Sequence, residues 1–403
     1  MKNCMNRCFV GSFGFLALCL INVPHASAQQ ITGRYYPEKT DYLVGEPIVV
    51  IFEVENAGSA TVQIGESSCS ELNTGQFVVD HATPKRKFAL FGCAGGTGGS
   101  CGGTIRNIPP GGKYQQRLLL EGNFELDSLG TYHIRAKRDQ RITLKGVTES
   151  VSNLNVDSDF TVVLRSPTED NLEKAYQPFI DDLHSRDFGT RLFAVRVVTQ
   201  NPPPFAEPAI LDLADDPAMR YTSVDGLKRL GTPAARTELL QMSSLDFPES
   251  LRQQAIPALG EIGNSEDCLA MLDIAAKNKD YTQIEAYVAA GSICKEQVVS
   301  ILANLLPTAN PPLLGGLAIA LKNTSSRQAI PLLIDLLQYP DQSVRSAATD
   351  ALSLLTHHKS KYPVEELDQA MQAYSQWSNW WRDSGATAPL FDPNQCVLSQ
   401  LLP

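Results

Sequence analysis

Residues 88–112 read FALFGCAGGTGGSCGGTIRNIPPGG, two cysteines among a crowd of glycines. Gly98-Gly99-Ser100-Cys101-Gly102 fits G-x-S-x-G, the pattern of a serine nucleophile on a sharp turn. That chemistry needs a strand before the serine, a helix after it and a histidine partner. Here the serine is followed by GTIRNIPPGG, strand or coil ending in a proline turn, so a chance match is expected. A phosphate cradle would need Gly-Lys-Ser/Thr opening a helix, and none follows. What remains is thiol chemistry: a hairpin tip closed by Cys93 and Cys101. A nine-residue closure of this kind contributes about 2.5 kcal/mol in the chain-entropy model, against the large ordering entropy of glycine.

The other side chains able to do chemistry are scattered. His357 and His358 are adjacent, which on a helix separates them by about 100°, so they do not share one metal easily. No Ser-His-Asp set, C-x-x-C or H-E-x-x-H is readable. Asp212, Asp215 and Asp216 in LDLADDP lack the glycine and terminal glutamate of a calcium loop and read as a solvated helix end. RAKRDQRITLK, with Arg135, Lys137, Arg138, Arg141 and Lys145, reads as an exposed hairpin edge guarded by charge. No catalytic residue, cofactor or metal is expected.

Composition sets the frame for these side chains. Lys2 and Arg7, the apolar run FVGSFGFLALCLINV and Ala26-Ser27-Ala28 predict an export leader over residues 1–28. Leu18 before Cys19 argues against a lipoprotein. The leader would remove Cys4, Cys8 and Cys19, leaving Cys69, Cys93, Cys101, Cys268, Cys294 and Cys396 for an oxidising periplasmic or extracellular setting. Residues 29–165 carry 14 basic and 15 acidic side chains, whereas residues 166–403 carry 18 and 29. So acidic a surface disfavours nucleic acid and anionic membranes as partners. No further apolar stretch is long enough for stable membrane insertion.

The hydrophobic period changes near residue 165. Before it, alternation of period two places Ile48, Val50, Phe52 and Val54 opposite Glu53 and Glu55. Tyr132, Ile134 and Ala136 alternate in the same way with His133, Arg135 and Lys137. Seven or eight short strands separated by turns predict an antiparallel β-sandwich over 29–165. YLVGEPIVVIFEVENAGSATVQI followed by IPPGG and LGTYHIRA resembles the immunoglobulin-like modules of bacterial exported proteins. That resemblance implies a buried Tyr132 at a strand corner.

After residue 165 a helical frame recurs. RLFAVRVV, RYTSVDGL, RQQAIPAL and RSAATDAL begin at Arg191, Arg220, Arg252 and Arg345, with intermediate copies from Gln283 and Leu314. A second apolar helix follows each, and the period of about 31 predicts an α-solenoid over 166–386, with a tail at 387–403. The weak middle, where NPPLLGG opens a helix, puts regular stacking in question. Trp377, Trp380 and Trp381 share one face of the last helix and should seal the array; an exposed aromatic anchor is the sharper reading. Cys268 sits where other second helices carry small core residues, and Cys294 where Gly231 and Gly263 end first helices. A Cys268–Cys294 bridge and two buried thiols are both open.

LRQQAIPALGEIGNSED and SVRSAATDALSLL resemble HEAT repeats of the short, phycobilisome-lyase-like kind. The resemblance implies partner binding, with second helices lining the concave side. It nominates Arg236, Glu238, Gln241, Glu266, Asp273, Gln297, Asn304, Gln328 and Asp335. The expected function is therefore an exported, non-enzymatic protein-binding scaffold, its partner basic. The alternatives are a lyase related to chromophore-attaching HEAT-like proteins, or a glycan-binding or inhibitory module in the sandwich.

Overall fold

The computed structural model describes residues 30–67, 77–84, 103–120, 124–146 and 151–391. The expected leader, Cys69, the Cys93–Cys101 pair, Ser100 and Cys396 lie outside the described residues. The chain divides into two compact units. One holds the chain up to Tyr42, Ile48–Leu126 and Gly130–Leu164; the other holds Leu43–Pro47, Asp127–Leu129 and everything from Arg165 onward.

The first unit is built of strands β1 (Ile31–Pro37), β2 (Asp41–Leu43), β3 (Val49–Asn56), β4 (Val62–Ser67), β5 (Phe77–Val79), β6 (Thr83–Pro84), β7 (Gly103–Ile108), β8 (Lys113–Leu119), β9 (Phe124–Glu125), β10 (Gly130–Leu144) and β11 (Val151–Arg165). They form three sheets: β1-β3-β8; β2-β11-β10-β4-β7 with β5 also on β10; and β6-β9. The inward series of the alternating strands forms the core: Val50, Phe52 and Val54 from β3, Ile134 and Ala136 from β10, and Val162 and Leu164 from β11 are all buried.

Alternation sets Glu53 opposite the Val50–Phe52–Val54 series, yet it is only 4% exposed, covered by Arg34, Tyr36 and Gln115, which hydrogen bond to its carboxylate. One expectation is corrected here. The basic run 135–145 is not a sheet edge, because β10 is paired with β11 on one side and with β4 and β5 on the other. Its charges are matched across strands instead. Arg135 and Lys137 grip Asp157, hold its carboxyl down to about 2, and Arg138 lies over the Phe52 ring at 4.3 Å.

The second unit is helical: α1 (Glu169–Asp182), α2 (Phe188–Gln200), α3 (Glu207–Asp215), α4 (Arg220–Leu230), α5 (Pro233–Met242), α6 (Glu249–Ile262), α7 (Cys268–Lys277), α8 (Tyr281–Cys294), α9 (Val299–Leu305), α10 (Pro311–Asn323), α11 (Ala329–Leu336), α12 (Gln342–Thr356) and α13 (Leu367–Asp383). Capping residues set the starts. Asp187, Thr232, Asp280, Asn310 and Asp341 each accept a first-turn amide of the helix that follows. Gly231 ends α4 in the left-handed region at φ 62°.

The even-numbered helices α2 to α12 pack in succession, each on the next, and include all six expected first helices. The stack is regular through its middle, where glycine lets backbones approach. A Cβ at Gly260 would stand 2.9 Å from that of Ala289, one at Gly291 would overlap the Ala320 carbonyl, and one at Gly316 would overlap Ile284. Gly316 of LLGGL therefore belongs to the α8–α10 contact rather than interrupting it, while Gly315 faces open space.

Candidate partner-binding face of the helical unit

The recurring arginine is engaged within the fold, buried at Arg252 and Arg345 and half-buried at Arg191 and Arg220. Arg220 donates from Nε to the Ala214 carbonyl at 2.6 Å and from Nη2 to that of Asp215 at 3.1 Å. Arg252, 6% exposed, donates to the Phe247 carbonyl at 2.7 Å and pairs with Asp280. Arg345, 2% exposed, donates to the carbonyls of Tyr339, Pro340, Val364 and Glu365. In each case the guanidinium binds the turn five or six residues upstream, and in Arg252 and Arg345 it also reaches the next repeat. Arg191 pairs with Asp216, again one repeat on. A fixed fork of five donors suits this task, which a lysine would not perform.

Because these cations are engaged inside, acid is left outside. Asp212 on α3, Gln241 on α5, Asp273 on α7, Asn304 on α9 and Asp335 on α11 are all exposed. Their separations of 29, 32, 31 and 31 residues follow the repeat, so each of the five second helices α3, α5, α7, α9 and α11 offers an acid or amide at an equivalent position. Asp273 is bridged to Lys277 within its helix, an exposed pair of small worth.

The remaining nominated residues fall elsewhere. Arg236 is engaged with Asp267 at 3.3 Å and Glu266 at 3.8 Å, so those two candidates belong together, and Arg236 is not a free contact. Glu238 is half-buried, and burial, aided by the Asp215 charge, pushes its carboxyl up. Gln297 is exposed in a short 3-10 turn, while Gln328 donates to Glu296 at 2.6 Å. Sequence reading missed Asp212, taken as part of a solvated helix end. The signal was present: Asp212 precedes Gln241 by the same 29 residues that separate Arg191 from Arg220.

Cys268 and Cys294 are joined in a disulfide, with Cα atoms 5.2 Å apart, tying the start of α7 to the end of α8. Trp377 is fully buried, and Trp380 stacks on His358 at 4.6 Å, so these two rings seal the end of the array. Residues after α13 turn back: Arg327 donates to the Ala386 and Ala388 carbonyls, and the Phe391 amide to that of Leu355. One carboxylate stands apart. Glu285 on α8 has a buried Oε2 without a hydrogen-bond partner, and burial, with Asp280 and Glu249 nearby, pushes its carboxyl up to about 7. Among the described residues no group of three or more His, Cys, Asp or Glu side chains is placed to hold a metal ion. No helix among them is long and apolar enough to cross a membrane.

The model of the Armadillo/beta-catenin-like repeat matches residues 327–357, which span α11 and α12. The β region is thus followed by a helical region that includes an Armadillo-type repeat. No curated protein matches the chain. Among solved structures, the crystal structure of BslA, a bacterial hydrophobin, is similar at 13% identity over 34% of this chain and 97% of that one, with a TM-score of 0.17.

Proposed function

We propose that this chain is an exported, non-enzymatic scaffold that binds a basic protein segment along the second helices of a HEAT-like solenoid. An immunoglobulin-like β-sandwich precedes that solenoid. The observation that carries the reading is the row Asp212, Gln241, Asp273, Asn304 and Asp335, one exposed acid or amide per repeat. Such a row repeats at the pace of the fold, and the region holding it has 29 acidic against 18 basic side chains. An extended cationic chain meets carboxylates and hydrogen-bond acceptors in register there, and its approach is steered by the field. Armadillo-type repeats commonly serve protein interaction, which supports the same direction.

The test changes exposed members of the row and leaves half-buried Glu238 alone. Full-length protein carrying Gln241→Lys, Asp273→Lys and Asp335→Lys should lose about tenfold or more in affinity for a lysine-rich extended peptide at low salt. Wild-type binding should itself weaken as salt rises. Unchanged binding by the triple variant, with the isolated β region binding as well as the whole chain, would move the function to the sheets.

A further inference from the structure

At one end of the row the helical unit has a cavity of about 170 Å³, lined by Leu183, His184, Arg191, Ala209, Asp212, Leu213 and Asp216. Its walls divide by chemistry. Leu183, Ala209 and Leu213 give an apolar side. Arg191 and Asp216 neutralise one another as an ion pair, and His184 adds a polar ring. Asp212 is the charge left over. It is exposed, and no hydrogen bond or ion pair engages its carboxylate among the described residues.

We infer that this cavity receives one lysine side chain of the partner, with its methylenes on the apolar wall and its ammonium on Asp212. A cavity of ~150 Å³ holds a benzene ring, so the volume suits a four-carbon stem and is too small for a sugar chain or a nucleotide. Long cationic side chains place their stems on apolar surface while the head stays at a polar rim, which is the division of this lining. The uncompensated carboxylate selects a cation over an anion, even though an arginine stands in the wall, because the charge of that arginine is matched by Asp216, its buried Nε alone lacking a hydrogen-bond partner. A guanidinium is bulkier and would lie against the Arg191–Asp216 pair, so lysine is the better occupant.

The assignment rests on the basic-partner reading but can fail separately from it. Two kinds of probe distinguish them, both titrated into the full chain by ligand-observed NMR. The first are seven-residue acetylated, amidated Gly-Ser peptides with one central lysine, arginine or glutamate. The second is a longer peptide alternating lysine and serine. Asp212→Asn should weaken single-lysine binding about fivefold, whereas Asp273→Asn with Asp335→Asn should leave it unchanged and weaken only the longer peptide. The single-arginine peptide should bind less tightly than the lysine one. Single-lysine binding that is undetectable at millimolar concentration, insensitive to Asp212→Asn, or weaker than binding of the arginine or glutamate peptide overturns the cavity assignment. A longer peptide that ignores Asp273→Asn with Asp335→Asn while Asp212→Asn still acts on the single lysine overturns the extended row and keeps the cavity.

Discussion

The two units use their charges in opposite ways. In the β unit, cations meet carboxylates across neighbouring strands, Arg34 with Glu53, Arg135 and Lys137 with Asp157 and Lys113 with Glu55, and Arg117 of β8 reaches Glu38 just beyond β1. Most of these pairs are exposed, and they leave that unit nearly neutral. In the helical unit, Arg220, Arg252 and Arg345 turn inward to backbone carbonyls, so the acids outside have fewer cations to meet. A residue count alone would treat these arginines as surface charge. The inward engagement of Arg220 and the burial of Arg252 and Arg345 turn a modest excess of acid into an outward-facing one.

The sharpest test sets one arginine of each kind against the other. Arg345→Met removes a buried guanidinium and strands four carbonyls, and should lower stability by about 4 kcal/mol in urea denaturation. Arg135→Met in the β unit breaks a pair whose partners are 52% and 44% exposed, and should lower stability far less than Arg345→Met does. Equal costs would erase the distinction between the units.

Next in size is the bridge. Cys268 and Cys294 are 26 residues apart, for which closure entropy predicts about 3 kcal/mol. Cys268→Ser with Cys294→Ser should lower the helical transition by that amount and leave the β-rich signal of the first unit intact. Loss of both signals together in circular dichroism would mean the units do not unfold separately.

The smallest effect depends on pH. The Glu285 carboxyl is raised to about 7 in the folded chain from an ordinary value of 4.5. The unfolded state therefore binds fewer protons between those values, and stability falls as pH rises through the window. Glu285→Gln should raise stability by about 1 kcal/mol at pH 8, allowing for partial solvent screening, and by nothing measurable below pH 4.5. A benefit of equal size at both pH values would point to packing rather than charge.

Much of the helical unit was legible in the sequence because its signal repeats. Arg191, Arg220, Arg252 and Arg345 locate first helices, and the gaps between them place α8 and α10. What those arginines bind was not legible, since carbonyl partners leave no mark in residue types. The same limit hid the reason Gln283 and Leu314 are tolerated. Gln283 still reaches a carbonyl, that of Ala275, and Gly291 and Gly316 bring α8 and α10 close without any guanidinium. In the β unit, alternation identified inward residues such as Tyr132 and Ile134 but not sheet membership. An alternating strand looks the same at an edge or in the centre, which is why the charges of β10 were misplaced.

The arginine bonds also act as a ruler. Each guanidinium measures five or six residues back along its own chain, to Ala214 and Asp215, to Phe247, to Tyr339 and Pro340. A residue inserted between the arginine and those carbonyls would pull the bonds out of register. A residue inserted between a first helix and its second would leave those upstream bonds in register. At the end of the array Arg345 adds a second gauge, because it also holds Val364 and Glu365 in the ten residues that separate α12 from α13. Growth by insertion is thus disfavoured at the gauged turns before α4, α6 and α12, where the spacing of the repeats is held.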